Sequence, residues 1–285
     1  MKSGNACILR GGSEALHSNS ALAGLLRTAL GEAGVPEGAV QFLENTDRAL
    51  VQEMLQMRDT IDLLIPRGGA ELVRFVAEHA TMPAVTGGVG VCHTYVDRSV
   101  DREMALEVVT NAKVNRPSTC NALDTLLVHS ETASRLLPDL ARRLGESGVE
   151  LRCDARALSL LGPVEGVQVT PATADDWGTE FLDLILSVRV VDSLEEAMEH
   201  IEGYGSGHSE AVVTSDYAVA MRFLNEVDAA AVFVNASTRF TDGARFGLGA
   251  EVAISTNKFH ARGPMGLREL TSYKWVIHGN GHVVE

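Results

Sequence analysis

Cys120 is the residue whose type and neighbours most directly suggest chemistry. Pro117, Ser118 and Thr119 come just before it, and a proline in the first turn with hydroxyl caps nearby is typical of a helix start. A cysteine at a helix N-terminus lies near free N–H groups and the positive end of the helix dipole, which favour the thiolate. The same N–H groups could hold the oxyanion that forms when this sulfur attacks a carbonyl carbon. The local sequence therefore predicts a nucleophilic cysteine, with a small buried apolar side chain as the alternative.

The composition bounds the class of protein. The chain has 285 residues, enough for two medium domains, and 45% of them are hydrophobic, which is ordinary for a globular protein. The formal net charge of −14 argues against a nucleic-acid surface, and no apolar run approaches a membrane span. Four cysteines without a CxxC pair indicate neither a zinc site nor a disulfide framework. No signal peptide is recognisable, so we expect a cytoplasmic protein.

The first third of the chain alternates short apolar segments with amphipathic ones. The predicted strands are 6–9, 39–43, 61–65, 84–86 and 91–96, and the predicted helices are 18–30, 47–57 and 70–79. Alternation of this kind predicts an α/β fold with a parallel sheet covered on both faces. A doubly wound domain rarely opens on an interior strand, so a strand at the very start suggests an incomplete chain.

The same rhythm continues after the cysteine. The predicted helices are 101–113, 132–148, 193–203 and 216–227, and the predicted strands are 125–129, 150–153, 181–190, 211–213 and 231–235. These elements form a second α/β unit that contains a loop over residues 162–178. No low-complexity linker separates the two units. The predicted boundary near residues 111–115 therefore depends on the expected functions of the two units rather than on composition.

Two glycine-bearing turns stand at predicted strand ends. They are RGGSE, with Arg10, Gly11, Gly12, Ser13 and Glu14, and PRGG, with Pro66, Arg67, Gly68 and Gly69. Glycines at the carboxyl end of a parallel strand let the backbone approach a phosphate, and the following helix N-terminus favours anions. Neither turn matches GxGxxG, so ordinary βα turns remain the alternative. Arg10 would suit a 2′-phosphate.

The segment 235–266 breaks the α/β rhythm. It contains five glycines and a set of cationic or titratable side chains, namely Arg239, Arg245, Lys258, His260 and Arg262. A loop of this length inside a compact domain is usually functional or disordered, and this composition is not typical of disorder. We predict an anion-binding loop over a substrate site, with a solvated surface crossing as the alternative.

Three segments carry a resemblance to a known family. KVNRPSTCNALDTLLVH, VNASTRFTDGARFGLGAEVAIST and KFHARGPMGL closely resemble the gamma-glutamyl phosphate reductase family of the aldehyde dehydrogenase superfamily, and the resemblance extends over residues 2–284. It implies an aldehyde dehydrogenase-like fold with a Rossmann-like NADP-binding domain over 1–112, a catalytic domain over 113–270 and an oligomerisation arm over 271–285. Family members also carry about a third of their length before SGNACILRGG, so the chain resembles an N-terminally truncated member.

The resemblance also implies roles for individual residues. It makes Cys120 the nucleophile, places Arg10 opposite the adenosine ribose, makes 66–70 the pyrophosphate-side turn and places Glu180 at the nicotinamide ribose. The predicted cofactor-binding residues are therefore those of the two glycine turns together with Glu180. The side chains that we expect to contact the carboxylate and phosphate of the substrate are Asn115, Arg116, Asn235, Arg239, His260 and Arg262.

The predicted reaction depends on one difference between this chain and the hydrolytic members of the superfamily. Hydrolytic members carry a glutamate base before a Gly-Gly pair, whereas residues 84–88, AVTGG, contain no carboxylate. An enzyme that expels phosphate must keep water away from its thioester, so the absence favours NADPH-dependent reduction of L-glutamyl 5-phosphate to glutamate 5-semialdehyde, a step of proline biosynthesis. We also predict a homo-oligomer and an association with glutamate 5-kinase.

Two other functions remain compatible with the sequence. The first is a non-catalytic nucleotide-binding remnant of a truncated reductase, and the second is a coenzyme A-acylating aldehyde dehydrogenase.

Overall fold

The structure is a computed structural model that describes residues 2–85, 87, 89–258 and 261–284. The chain begins with a small parallel sheet, in which β1 (Cys7–Arg10) pairs with β2 (Val40–Leu43). The helix α1 (Leu16–Glu32) connects them. Two further helices follow, α2 (Ala49–Met54) and α3 (Ala70–His79).

Several elements of this first part differ from the predictions. Residues 61–65 and 84–86 were predicted as strands, but their described residues contain only one parallel bridge, between Leu64 and Ala84. The helix α1 begins at Leu16, two residues before the predicted start at residue 18. Residue 86 lies outside the described residues.

A seven-stranded sheet forms the centre of the fold. Its strands are β3 (Cys92–Val96), β4 (Leu123–His129), β5 (Glu150–Cys153), β6 (Val169–Pro171), β7 (Ile185–Val191), β8 (Ser209–Val213) and β9 (Ala231–Val234). Their order across the sheet is β6-β5-β7-β4-β3-β8-β9, and every neighbouring pair is parallel. The predicted α/β fold with a parallel sheet is confirmed.

Helices cover both faces of this sheet. They are α4 (Arg102–Val114), α5 (Ser130–Gly145), α6 (Ala155–Leu161), α7 (Leu194–Tyr204) and α8 (Tyr217–Glu226). The first three contribute to one core cluster and the last two to the other. Leu126 belongs to the first cluster and Leu127 to the second, because successive side chains of β4 point to opposite faces. A central strand buried on both faces therefore has a continuous apolar sequence.

Side-chain caps fix the starts of three predicted helices. Asp101 accepts the N–H of Met104 at 2.8 Å, Ser193 accepts that of Glu196 at 3.2 Å, and Asp216 accepts that of Ala218 at 2.8 Å. Each cap satisfies an N–H group that has no partner inside the helix and is worth about 1 kcal/mol.

The segment predicted as a long loop contains a short antiparallel pair, β10 (Ala253–Ser255) and β11 (Gly263–Met265). Val85 packs against Ala253 and Met265 in a third, small core cluster. This cluster joins the end of the first part of the chain to the tail. Among the described residues, no helix is both long enough and apolar enough to cross a membrane.

The strand pairing bears on the domain boundary. Residues 92–112 precede the predicted boundary, yet β3 pairs with both β4 and β8, and α4 packs on the same sheet. We therefore propose that the second domain starts between Val85 and Val91 rather than at residue 113.

Two buried histidines make the fold sensitive to acid. His200 and His208 are 4% and 2% exposed, and burial lowers their pKa values to about 3 and about 4. An unfolded histidine takes up a proton near pH 6.5, so below that pH the unfolded state binds more protons and the free energy of unfolding falls.

We expect His208→Gln to reduce the loss of unfolding free energy between pH 7.5 and pH 5 by about 2 kcal/mol. Urea titrations of both chains at the two pH values measure this difference. The raised pKa of Asp124, about 6, stabilises the native state in acid and contributes equally to both chains. An identical pH dependence in the variant would contradict the assignment.

Candidate active site

Cys120 lies in the loop between α4 and β4, at the amino-terminal edge of the large sheet. The segment forms turns, in which the N–H of Thr119 donates to the carbonyl of Arg116 and that of Ala122 donates to the carbonyl of Thr119. The predicted helix start at Pro117 is therefore wrong. The apolar run after the cysteine is β4, all seven residues of which are buried, and periodicity cannot separate such a strand from a buried helix.

The environment of Cys120 favours the thiol. Burial raises its pKa to about 11, and the negative charges of Glu180 and Glu251 contribute in the same direction. Its own backbone N–H and the guanidinium of Arg239 act in the opposite direction. This raised pKa is opposite to the predicted thiolate, because Cys120 is buried and lies in a turn between α4 and β4 rather than at the start of a helix.

This pKa predicts the reactivity of the thiol. We expect the alkylation rate of Cys120 by iodoacetamide to rise about tenfold per pH unit between pH 7 and pH 10, since only the thiolate reacts. At pH 8, Glu180→Gln should speed alkylation and Arg239→Met should slow it. Peptide mass spectrometry separates Cys120 from the half-exposed Cys7. A rate that levels off below pH 8 would contradict the raised pKa.

Two carboxylates approach the cysteine from different segments. Glu180 accepts the backbone N–H of Gly90 at 2.9 Å, and a side chain at Gly90 would collide with the carbonyl oxygen of Cys120. Glu251 accepts the backbone N–H of Gly243 at 2.8 Å. Burial raises the pKa of both carboxyl groups.

Arg239 is a buried cation beside the cysteine. It is 8% exposed, and its Nε donates to the carbonyl oxygen of Asn115 at 2.5 Å. Burial and the nearby charges of Arg245 and Arg116 lower its pKa. None of these three arginines belongs to an ion pair among the described residues. Three unpaired guanidinium groups in a chain of net charge −14 indicate an anion-binding site.

A cavity of about 740 Å³ opens next to this cluster. It runs along α4, and Asn115, Arg239 and Arg245 line it together with Glu107 and Arg143. A mixture of cations and one carboxylate in a partly apolar cavity suits a small zwitterionic or anionic molecule.

The predicted substrate contacts are only partly brought together. Asn235 lines the same cavity, but its amide bonds in both directions to the backbone of Thr214 at the carboxyl end of the sheet. Arg262 donates through Nη1 to Asp228 at 2.7 Å. His260 lies outside the described residues. Of the predicted set, Asn115, Arg116 and Arg239 lie together near the cysteine.

Comparison with known proteins assigns the chain to a family. The model of the aldehyde dehydrogenase family matches residues 1–164 and 168–276. The chain belongs to the aldehyde dehydrogenase family. Within it, the chain is 57% identical over 283 residues to a gamma-glutamyl phosphate reductase of Dehalococcoides mccartyi, with coverage of 99% of this chain and 67% of the relative. A reductase of the same name from Roseiflexus castenholzii is 56% identical over 99% of this chain and 67% of its own length.

Solved structures agree with this placement. The crystal structure of gamma-glutamyl phosphate reductase from Thermotoga maritima matches with a TM-score of 0.95 and 52% identity, over 100% of this chain and 67% of that chain. An acetylating aldehyde dehydrogenase from Geobacillus thermoglucosidasius matches with a TM-score of 0.71 at 18% identity, over 99% of this chain and 70% of that chain, which shows the shared fold. The aldehyde dehydrogenase fold and the resemblance to gamma-glutamyl phosphate reductases are confirmed. Membership of the family implies a nicotinamide cofactor and a small-molecule substrate.

The RGGSE turn has features that fit an anionic cofactor. Arg10 donates through Nη2 to the carbonyl of Thr46 at 2.5 Å, and its buried Nε has no hydrogen-bond partner among the described residues. A side chain at Gly12 would collide with the carboxylate of Glu14. A 3-10 turn over Ser13–Ala15 leads into α1, and the N–H of Leu16 donates to the carbonyl of Ser13. The N–H groups that a phosphate could use are therefore those at the start of this turn, after Gly12, where no side-chain cap is present.

The PRGG turn has the same character. It ends at Gly69, which precedes α3 without a side-chain cap. Arg67 is exposed in this turn, and its charge lowers the pKa of Glu251. This turn and the cysteine loop therefore lie on the same side of the molecule, with Glu251 near both. The glycines and cations of the two turns fit the phosphate groups of a dinucleotide.

Sequence reasoning missed several residues of this site. Glu251 lies in the segment 235–266, from which only the cationic side chains were taken as candidates. A single carboxylate in a loop belongs to no periodic pattern that would mark it as a site residue. Arg143 and Glu107 lie on two different helices, so only the fold brings them to one cavity. Arg245 was noted as a cation of the tail but not as a neighbour of Arg239.

Proposed function

We propose that the chain catalyses the NADPH-dependent reduction of L-glutamyl 5-phosphate to L-glutamate 5-semialdehyde and phosphate, the activity that the names of its relatives specify. The observation that carries the proposal is the buried, unpaired Arg239 beside Cys120. A nucleophile next to a cation cluster suits a substrate with an acyl group, a phosphate and a carboxylate.

In the first step, the sulfur of Cys120 attacks the acyl carbon and the bond to the phosphate oxygen breaks. The thiol has a pKa of about 11 in the free chain, so its proton must leave as the bond forms. The leaving oxygen of the dianionic phosphoryl group accepts that proton, which gives a thioester and hydrogen phosphate (HPO₄²⁻). Arg239 stabilises the negative charge on sulfur and on the leaving group.

In the second step, a bound reduced nicotinamide would supply the hydride that reduces the thioester carbon. The bond between that carbon and the sulfur of Cys120 then breaks, which releases the aldehyde and regenerates the cysteine. We assign the phosphate groups of the cofactor to the RGGSE and PRGG turns, where the first N–H groups after Gly12 and Gly69 have no side-chain cap. We assign the nicotinamide ribose to Glu180, which lies over the cysteine loop through Gly90. Arg10 is proposed to favour NADPH, since its unpartnered Nε could bind a 2′-phosphate.

The substrate side is assigned to the opposite wall of the site. Arg239, with Arg116 and Arg245, would bind the phosphate or the α-carboxylate of the glutamyl group. The cavity beyond Arg239 contains Glu107, which could accept a hydrogen bond from the α-ammonium group. Asn235, His260 and Arg262 remain predicted contacts.

The reverse reaction tests the proposal. Purified chain is mixed with glutamate 5-semialdehyde and NADP⁺, with phosphate, with coenzyme A, or with neither, and NADPH formation is followed. We expect steady turnover with phosphate only, and slower turnover with NAD⁺. Turnover with coenzyme A alone would support an acylating dehydrogenase, and no turnover with any acceptor would support a non-catalytic protein.

We also propose two kinds of partner. The segment 271–284 exposes Tyr273, Trp275 and Ile277, each more than four-fifths accessible, which suits an arm that packs on a second copy of the chain. Light scattering that gives a monomer would contradict this. Because an acyl phosphate hydrolyses readily, we further propose direct transfer from glutamate 5-kinase in the cytoplasm.

A further inference from the structure

A buried ion pair lies behind the cysteine loop. Lys113, in the last turn of α4, is 0% exposed and donates through Nζ to the carbonyl of Leu123 at 2.9 Å. The same Nζ lies 3.9 Å from Oδ1 of Asp124, which is 2% exposed. Fully buried lysine is rare unless it is paired, and a buried pair seldom stabilises a fold more than apolar residues of the same volume. A role beyond stability would explain why charges occupy this position.

The carboxylate of Asp124 joins two backbone segments. Its Oδ1 accepts the N–H of Phe181 at 3.1 Å, and its Oδ2 accepts the N–H of Cys92 at 3.4 Å. Phe181 follows Glu180 directly, and Cys92 begins β3. Asp124 therefore holds the segment that carries Glu180 against the start of the neighbouring strand.

These two segments meet over the cysteine. Glu180 accepts the N–H of Gly90, two residues before Cys92, and Gly90 packs against the backbone of Cys120. Leu182 has a φ of +52°, a strained conformation for a residue with a branched side chain. Such a conformation persists only where tertiary contacts enforce it, and the bond between Asp124 and the preceding residue is one of them.

We propose that Lys113 and Asp124 are positioning residues that hold Glu180 in place for the cofactor ribose beside Cys120. The inference rests on the proposed function, in which Glu180 contacts that ribose. Lys113 acts by keeping Asp124 ionised: burial raises the pKa of Asp124 to about 6, and the lysine charge opposes that rise. An ionised carboxylate accepts hydrogen bonds from both N–H groups, whereas a protonated one presents a donor to one of them.

The first test is Asp124→Asn, which keeps the shape but replaces one acceptor oxygen by an NH₂ group. We expect the dissociation constant for NADPH, measured by NADPH fluorescence, to rise about tenfold, with a parallel rise in KM for NADPH. The KM for glutamate 5-semialdehyde should change less than about twofold, because the substrate side of the site is not touched. Glu180→Gln should reproduce the same pattern.

Asp97→Asn is the matched control. Asp97 is equally buried, at 3% exposure, and accepts the N–H of Ser99 at 3.2 Å and the hydroxyl of Thr214 at 2.9 Å. It follows the carboxyl end of β3, at the opposite edge of the sheet from Cys120. We expect it to lower the melting temperature while NADPH affinity stays unchanged.

Lys113→Met adds a second measurement, the pH dependence of NADPH affinity. This quantity would not change if the pair only stabilised the fold. Without the lysine charge, burial and the charge of Glu180 should raise the pKa of Asp124 further. At pH 7 this variant should therefore bind NADPH more weakly than the wild type. The difference should shrink at pH 8.5, because burial lowers the pKa of Lys113 to about 8 and the wild-type lysine is then largely neutral. The double variant Lys113→Met/Asp124→Asn has no charge at either of these two positions and replaces Asp124→Asn in the test if that single variant does not fold. It should bind NADPH as weakly as Asp124→Asn, at every pH.

Each outcome has one meaning. Folded Asp124 variants with wild-type NADPH affinity would overturn the positioning role but leave the proposed function intact. If NADPH binding is weakened in Asp124→Asn but unchanged in Glu180→Gln, Asp124 does not act by positioning Glu180. A wild-type chain that binds no NADPH would overturn both this inference and the proposed cofactor.

Discussion

Replacement of Cys120 by alanine should abolish turnover while the chain still binds NADPH. We expect kcat to fall at least ~10⁴-fold, because loss of the nucleophile removes the covalent step and leaves only positioning by the remaining residues. Cys120 is half-buried in a loop, so truncation should leave the melting temperature within a few degrees. Steady-state assay of the reverse reaction and fluorescence titration with NADPH measure the two quantities.

Cys153→Ala is the control for this prediction. Cys153 is 1% exposed on β5, and burial raises its pKa to about 12, so its thiol is inert. The control should lose some stability through the small cavity but keep its kcat. Activity that survives in Cys120→Ala and disappears in the control would contradict the assignment of the nucleophile.

Replacement of Arg239 by methionine should have the largest effect on the substrate side. Methionine fills much of the same volume but removes a buried cation that has no carboxylate partner among the described residues. We expect kcat/KM for glutamate 5-semialdehyde with phosphate to fall about 10²-fold, or about 3 kcal/mol, because bound anions lose their charged hydrogen-bond donor. Affinity for NADPH should not change.

Arg222→Met is the matched control, since Arg222 is exposed and pairs with Glu195 and Glu226 on α7 and α8. Exposed ion pairs contribute little, so its kinetics should stay within about twofold of wild type. Added guanidinium should partly restore Arg239→Ala and should not affect the control. Equal losses in both variants would indicate a general effect of charge rather than a binding site.

Most helices and strands of the fold could be predicted from the sequence. Helices α3 to α5, α7 and α8 and most strands were predicted because apolar periodicity and capping residues agree, as at Asp101 and Ser193. The segment 117–119 before β4 was mistaken for a helix start, because a proline and hydroxyl side chains also suit the turns found there. The helix α6 (Ala155–Leu161) and the strand β6 (Val169–Pro171) were missed because both are short.

The site was harder to predict than the fold. Cys120 and Arg239 were identified from their residue types and from the family resemblance. The pKa of Cys120 was predicted in the wrong direction, because it depends first on burial and then on Glu180 and Glu251, which come from segments distant in sequence. The contact between Asp124 and Phe181 likewise depends on the parallel pairing of β4 with β7, which no local pattern shows.

The central claim is that Cys120 forms a thioester with the glutamyl group. In the reverse reaction, phosphate then cleaves this thioester. The most direct test is a rapid-mixing measurement of the reverse reaction without phosphate, in which the chain is mixed with excess glutamate 5-semialdehyde and NADP⁺. Our account predicts a fast burst of one NADPH per active chain, no burst in Cys120→Ala, and steady turnover once phosphate is added. Steady turnover without phosphate, or a burst that persists in Cys120→Ala, would contradict it.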